Sequence, residues 1–160
     1  KSNIIRIGIA DTGVGIKRTI NNSHPAWTDM EALKLALTPG ITGTTFREGG
    51  TVDNVGAGLF FIKSIAANNR NFFMLYSGDA MYKLLKQPLT KNIKLYANPD
   101  RDRHSEKVGL PYWQGTVVGI DISLDTNDAF NILLEAMRMT LSQAVRERKK
   151  ARYKKVRFEP

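Results

Sequence analysis

Two glycine clusters, Asp11-Thr12-Gly13-Val14-Gly15 and Gly56-Ala57-Gly58-Leu59, lie about forty residues apart and have the residue types and spacing that suit chemistry on a ligand. Glycine lacks a Cβ, so its backbone approaches a phosphate closely, and the amides at a helix N-terminus carry the partial positive charge that an anion seeks. Residues 56–59, at the expected start of a helix, therefore form a candidate phosphate cradle. Asp11, at the expected end of a strand, offers a carboxylate suited to an exocyclic amine such as that of adenine. Each cluster alone is more often a tight turn or an Asx turn than a ligand site. The familiar phosphate motifs do not fit. Phenylalanine occupies the third-glycine place of a dinucleotide fingerprint in Gly56-Ala57-Gly58-Leu59-Phe60-Phe61, and Lys63-Ser64 lacks the preceding glycine of a Walker loop.

Other reactive residue types are fewer. His24 precedes Pro25 and lacks the acidic helical context of a phosphoacceptor, so it reads as an exposed residue, and His104 within Arg101-Asp102-Arg103-His104 reads as a loop residue. Arg47 and Lys17 are either phosphate contacts or solvated cations.

The elements that must hold these residues follow from periodicity. Residues 4–10 alternate as a half-buried strand does and deliver the first glycine cluster. Thr28-Asp29-Met30-Glu31 has the spacing of a capping box, followed by Leu33 and Leu37 on one helical face before Pro39-Gly40 stops the helix. Between Gly40 and Gly58 the glycine- and threonine-rich composition predicts a mobile lid or linker. Leu59, Ile62 and Ile65 predict a helix from Gly58. Strands are expected at 72–77 and 81–85 around a Gly78-Asp79 turn, and at 115–124. Residues 86–112 read as an exposed, variable connection with a short strand at 93–96. From Asn127, the spacing of Phe130, Leu133, Met137, Leu141 and Val145 predicts a long helix.

At 160 residues and 42% hydrophobic composition, the chain supports one substantial core. It has no cysteine, which excludes disulfides and thiolate chemistry. The net charge of +9 is concentrated: residues 138–160 hold nine Lys or Arg against Glu147 and Glu159, so 9 − 2 = +7 lies in the tail and about +2 elsewhere. A basic tail fits nucleic acid or an acidic partner, or a solvated helix end, and the part from about Arg146 is expected to be dispensable for binding a ligand at the glycine clusters. No apolar run approaches the roughly 18 residues of a membrane span, and the start has no signal-peptide pattern, so a cytoplasmic location is expected. The chain opens without Met directly into a strand pattern, as a fragment does.

Taken together, the motifs resemble the Bergerat, or GHKL, ATPase superfamily over roughly residues 3–124. Residues 11–16, ending in Ile16, look like its first glycine box. Asn54-Val55-Gly56-Ala57-Gly58-Leu59 looks like its second, Gly43-Thr44-Thr45-Phe46-Arg47 resembles part of an ATP lid, and Gln114-Gly115-Thr116 resembles its late Gly-Thr. The resemblance implies an α/β (α+β) two-layer sandwich with a mixed, largely antiparallel sheet and helices on one face. The ATP-binding domain would span 1–125, with a lid over about 21–57, and a helix and basic tail would follow over 126–160.

It implies ATP as ligand. Asp11 would read the adenine amine, with Thr116 assisting through water. Gly13, Gly15 and Ile16 would lie beside the purine, Thr44 and Thr45 in the lid, and Gly56, Ala57, Gly58 and Leu59 on the phosphates. The parent protein would be a histidine kinase-like transferase or ATPase in signal transduction, possible homodimerisation running through the C-terminal helix. Its Mg²⁺ ligand would lie on a helix upstream of the first glycine box, so this chain alone is expected to be inactive.

Overall fold

The computed structural model describes residues 3–47, 49–50, 55–86, 94–123 and 129–152. In chain order these form β1 (Ile4–Ala10), α1 (Gly15–Asn21), α2 (Asp29–Leu37), α3 (Gly58–Asn68), β2 (Phe73–Gly78), β3 (Ala80–Leu84), β4 (His104–Lys107), β5 (Trp113–Ser123) and α4 (Ala129–Arg152), with a 3₁₀ turn at Pro99–Arg101. The strands make one five-stranded sheet in the order β1-β5-β2-β3-β4. Every pairing among them is antiparallel, which corrects the expectation of a mixed sheet. The reason is connectivity: Gly78, at φ 65°, turns β2 tightly back into β3, and β5 returns between β1 and β2.

Period-2 alternation decides which face is buried. Phe73, Leu75 and Ser77 of β2 and Ala80, Tyr82 and Leu84 of β3 point to the same side and are buried. Against them pack Ile16 and Ile20 of α1, Met30, Leu33 and Leu37 of α2, and Ala66 of α3. Burying each such large apolar side chain contributes about 1.5–3 kcal/mol. The α2 start carries the expected capping box, in which Thr28 Oγ1 accepts from the Glu31 amide at 3.1 Å and Glu31 Oε2 accepts from the Thr28 amide at 3.2 Å.

Four expectations change. α1 forms where only the end of a glycine box was read. The stretch 86–112 is no mere surface connection. It contains the 3₁₀ turn and β4, whose His104 is thus a strand residue, and Asp102 there is buried. Residues 94–96 are not a strand, while Ile93 lies outside the described residues. Finally, the span 21–57 assigned to a lid includes α2, whose Ala32, Leu33 and Leu37 are fully buried in the main core.

α4 packs Leu133 and Met137 against Phe60 of α3, with Phe61, Ile65, Leu95 and Leu134 around them. This inner stripe is therefore occupied by the chain itself. On its other side α4 exposes Ile132 and Met139. β1 is an edge strand: Ile5, Ile7 and Ile9 pair with Ile122, Ile120 and Val118 on the helix side of the sheet, yet stay 46%, 38% and 64% exposed. No described helix is long and apolar enough to cross a membrane.

Candidate functional site

The end of β1 meets β5 through backbone and side chain at once. The Asp11 amide donates to the Thr116 carbonyl at 2.9 Å, and Asp11 Oδ1 accepts from the Thr116 amide at 3.1 Å and the Gly13 amide at 2.8 Å. One carboxylate oxygen is thereby clamped by two backbone amides. The other, Oδ2, accepts no hydrogen bond among the described residues. Trp113 Nε1 adds a bond to the Asp11 carbonyl at 3.1 Å.

Gly115 makes this junction possible, with φ 113° and a position where a Cβ would overlap the Asp11 carbonyl. Ser77, buried at the end of β2, donates to the Gly115 carbonyl and accepts from the Ile16 amide at 3.0 Å, tying the start of α1 to β5. Gly15, at φ 78°, lets the chain turn from the Asp11 loop into α1.

Asp11 and Thr116 line one end of a cavity of about 430 Å³. Gly15 and Ile16 form a second wall from α1, and Gly56, Ala57, Gly58 and Leu59 line it from the start of α3. Ile41, Thr42 and Gly43 close a further side. The other expected site residues stand apart: Gly13 is held in the Asx turn with Asp11, and Thr44 and Thr45 do not line the cavity. The Thr44 hydroxyl pairs with that of Thr42 at 3.0 Å instead. Sequence reasoning missed Thr42, Ile41 and the bridging Ser77, since nothing in their local pattern marks them.

The start of α3 suits an anion. Ala57 at its N-cap offers no side chain to the first amides, and the first turn has no acidic residue. Gly56 takes φ 65° and lies against the Ile41 carbonyl, so close that a Cβ would overlap it. The cavity lining thus combines a carboxylate, the uncapped start of a helix and several apolar side chains.

Two further polar clusters lie outside this cavity. Lys63 on α3 and Asp102 form a buried ion pair, with side chains 1% and 5% exposed, and Lys63 Nζ also donates to the Tyr96 carbonyl at 3.1 Å. Burial pushes the Lys63 ammonium down and the Asp102 carboxyl up, each against the attraction of the other's charge. In the second cluster Lys34 Nζ lies 2.7 Å from Asp100 and 2.9 Å from Glu106, and His104 Nε2 lies 2.7 Å from Glu106. Asp100, His104 and Glu106 have the residue types of a metal set, with ligand atoms within 4.8 Å of one another, but the Lys34 ammonium already sits between the two carboxylates.

The basic segment is not wholly solvated either. Arg148 donates to the Pro39 carbonyl and Arg152 to the Phe46 carbonyl, while residues 153–160 lie outside the described residues. Compared with known protein families, curated proteins and solved structures, the chain matches none.

Proposed function

We propose that the chain is the ATP-binding part of a Bergerat-type, GHKL or histidine-kinase-like protein, with the nucleotide held in the cavity between α1 and α3. The observation that carries this reading is the carboxylate of Asp11. Two amides fix one oxygen, and the other is left to accept from an exocyclic amine in the cavity that the start of α3 also lines. Ile16 and Ile41 offer the apolar surface a purine needs, and the uncapped turn at 57–59 offers donors to phosphates. The resemblance of residues 11–16 and 54–59 to the two glycine boxes gives the same polarity, adenine toward Asp11 and phosphates toward α3.

Mg²⁺ is treated separately because its chemistry demands several oxygen ligands. Among the described residues lining the cavity, Asp11 is the sole carboxylate and is engaged as above. The lining does not fit Mg²⁺, and no catalytic step is derived through it.

Titration calorimetry with ATP tests the reading, using the parent chain and Asp11→Asn. Asparagine keeps the oxygen that caps the Gly13 and Thr116 amides but turns the free acceptor into a donor, so affinity should fall by about 1–3 kcal/mol. Equal affinity in the two proteins removes Asp11 as the adenine reader, and absence of ATP binding by the parent chain removes the reading itself.

A further inference from the structure

α4 packs at two separate places on residues next in sequence to the cavity lining. Its N-terminal half packs Leu133 and Met137 on Phe60, which lies in the first turns of α3, directly after the cradle at 56–59. Its C-terminal half lies on the loop that follows α2. There a Cβ on Gly40 would come within 2.6 Å of Val145 Cγ2, and one on Gly49 within 3.0 Å of Val145 Cγ1, so the glycines let the loop lie flat against α4. Arg148 caps the Pro39 carbonyl and Arg152 the Phe46 carbonyl, charge-assisted bonds to backbone.

The loop carries these contacts inward. The Gly49 amide donates to the Gly40 carbonyl at 3.0 Å, and the Gly40 amide donates to the Gly56 carbonyl at 2.9 Å. Gly56 then abuts the Ile41 carbonyl, and residues 41–43 and 56–58 both line the cavity. The Arg148 guanidinium bond to the Pro39 carbonyl, the Pro39–Gly40 peptide link and the Gly40–Gly56 backbone hydrogen bond therefore connect α4 to residues 56–59.

We infer that α4 is a regulatory strap. Docked, it holds residues 39–47 in the arrangement that forms the cavity wall, and lifting its basic end lets that wall open. The inference rests on the nucleotide reading for its consequence on affinity, but the loop contact stands by itself. Because linkage is reciprocal, a nucleotide that prefers the closed wall must also tighten the docking of α4, although residues 144–152 do not line the cavity. A helix that merely adds packing would stabilise the fold without this exchange.

The test is hydrogen exchange on the full chain and on Arg148→Gln/Arg152→Gln, with and without ATP, alongside nucleotide titration. Both substitutions replace the guanidinium with a neutral polar group and lie at the helix end, away from the main core. In the double variant, exchange at residues 40–47 should accelerate about tenfold while β2 and β3 keep their protection, and ATP affinity should fall within the roughly 5–150-fold range of allosteric couplings. ATP should slow exchange at residues 144–152 of the parent chain. Unchanged exchange at 40–47 in the variant overturns the strap. So does ATP binding that leaves residues 144–152 unaffected and the variant's affinity equal. If the parent chain binds no ATP, the nucleotide reading fails, and the exchange at 40–47 still decides whether α4 holds the loop.

Discussion

Lys63 shows how much a single side chain is committed by its surroundings. It lies one turn after the glycine cradle, and its ammonium is buried against Asp102, over the Phe60 ring at 5.6 Å and beneath the Tyr96 carbonyl. Removing one partner strands the other's charge, so Lys63→Met should cost about 3–5 kcal/mol, whereas Lys63→Met/Asp102→Leu should cost much less. Urea denaturation checks both, and equal losses in the single and double variants would show that packing, not charge, sets the cost. Gly115 is likewise committed by its surroundings. A Cβ there collides with Asp11, and φ 113° is unsuited to L side chains, so Gly115→Ala should destabilise by about 1–3 kcal/mol and lose nucleotide affinity together with the Asp11 clamp. Thermal melting and calorimetry on the same sample measure the two effects.

Among the elements, α2 and β4 are joined by charge. Partial burial works to raise the Glu106 carboxyl, but hydrogen bonds from Lys34 and His104 overcome it and hold the group below its ordinary 4.5. Burial likewise works to lower Lys34, and its bonds to Asp100 and Glu106 hold it above 10.5. The signs define a window. The Glu106 contribution is present above its unfolded value and lost as pH falls through the lower folded value. The Lys34 contribution is present below 10.5 and lost as pH rises through the higher folded value. Lys34→Met should therefore reduce stability by roughly 1 kcal/mol near neutral pH, with the gap to the parent chain closing at both extremes. Denaturant titrations across pH measure it, and a gap independent of pH would point to lost packing by the lysine stem. The capping box of α2 is a separate local term, and Thr28→Ala should cost about 1 kcal/mol at any pH near neutrality.

At the scale of the whole molecule, binding and chemistry separate. The contacts offered by Asp11, Thr116 and the 56–59 turn would hold ground state and transition state about equally, which sets affinity more than rate. Acceleration of phosphoryl transfer needs a neutralising cation and an oriented nucleophile, and the described lining offers one carboxylate already engaged by backbone amides. This 160-residue chain in isolation should therefore release phosphate from ATP no faster than background. Phosphate release with ATP and Mg²⁺ measures this, with Asp11→Asn as the contamination control. Mg²⁺-dependent turnover that vanishes in that variant would mean that carboxylates within the chain hold the metal. Of those, Glu31 is engaged in the α2 capping box, and Asp53 lies outside the described residues.

What the sequence determined by itself is local. Alternation over 4–10 and 115–123, the Thr28 to Glu31 spacing, the Gly78 turn and the apolar stripe of α4 are written within a few neighbouring residues, and each forms close to where its pattern predicts. The glycine clusters were legible as boundaries for the same reason, since a backbone turn is a local demand. Which of those boundaries face one another was not. Asp11 meets Thr116 because β5 inserts between β1 and β2, and Ser77 reaches Ile16 and Gly115 across 61 and 38 residues of chain. In the sequence Lys63 stands out only as the lysine of a Walker loop that does not fit and Asp102 lies in an exposed connection, and only their meeting across 39 residues makes them a pair. Arg148 belonged to a charge run whose composition fits solvent or a partner equally well, and its carbonyl acceptor at Pro39 lies 109 residues away. Short-range sterics and periodicity act within a turn of helix or a pair of strands, whereas these contacts depend on strand order and helix docking, which only the folded chain establishes.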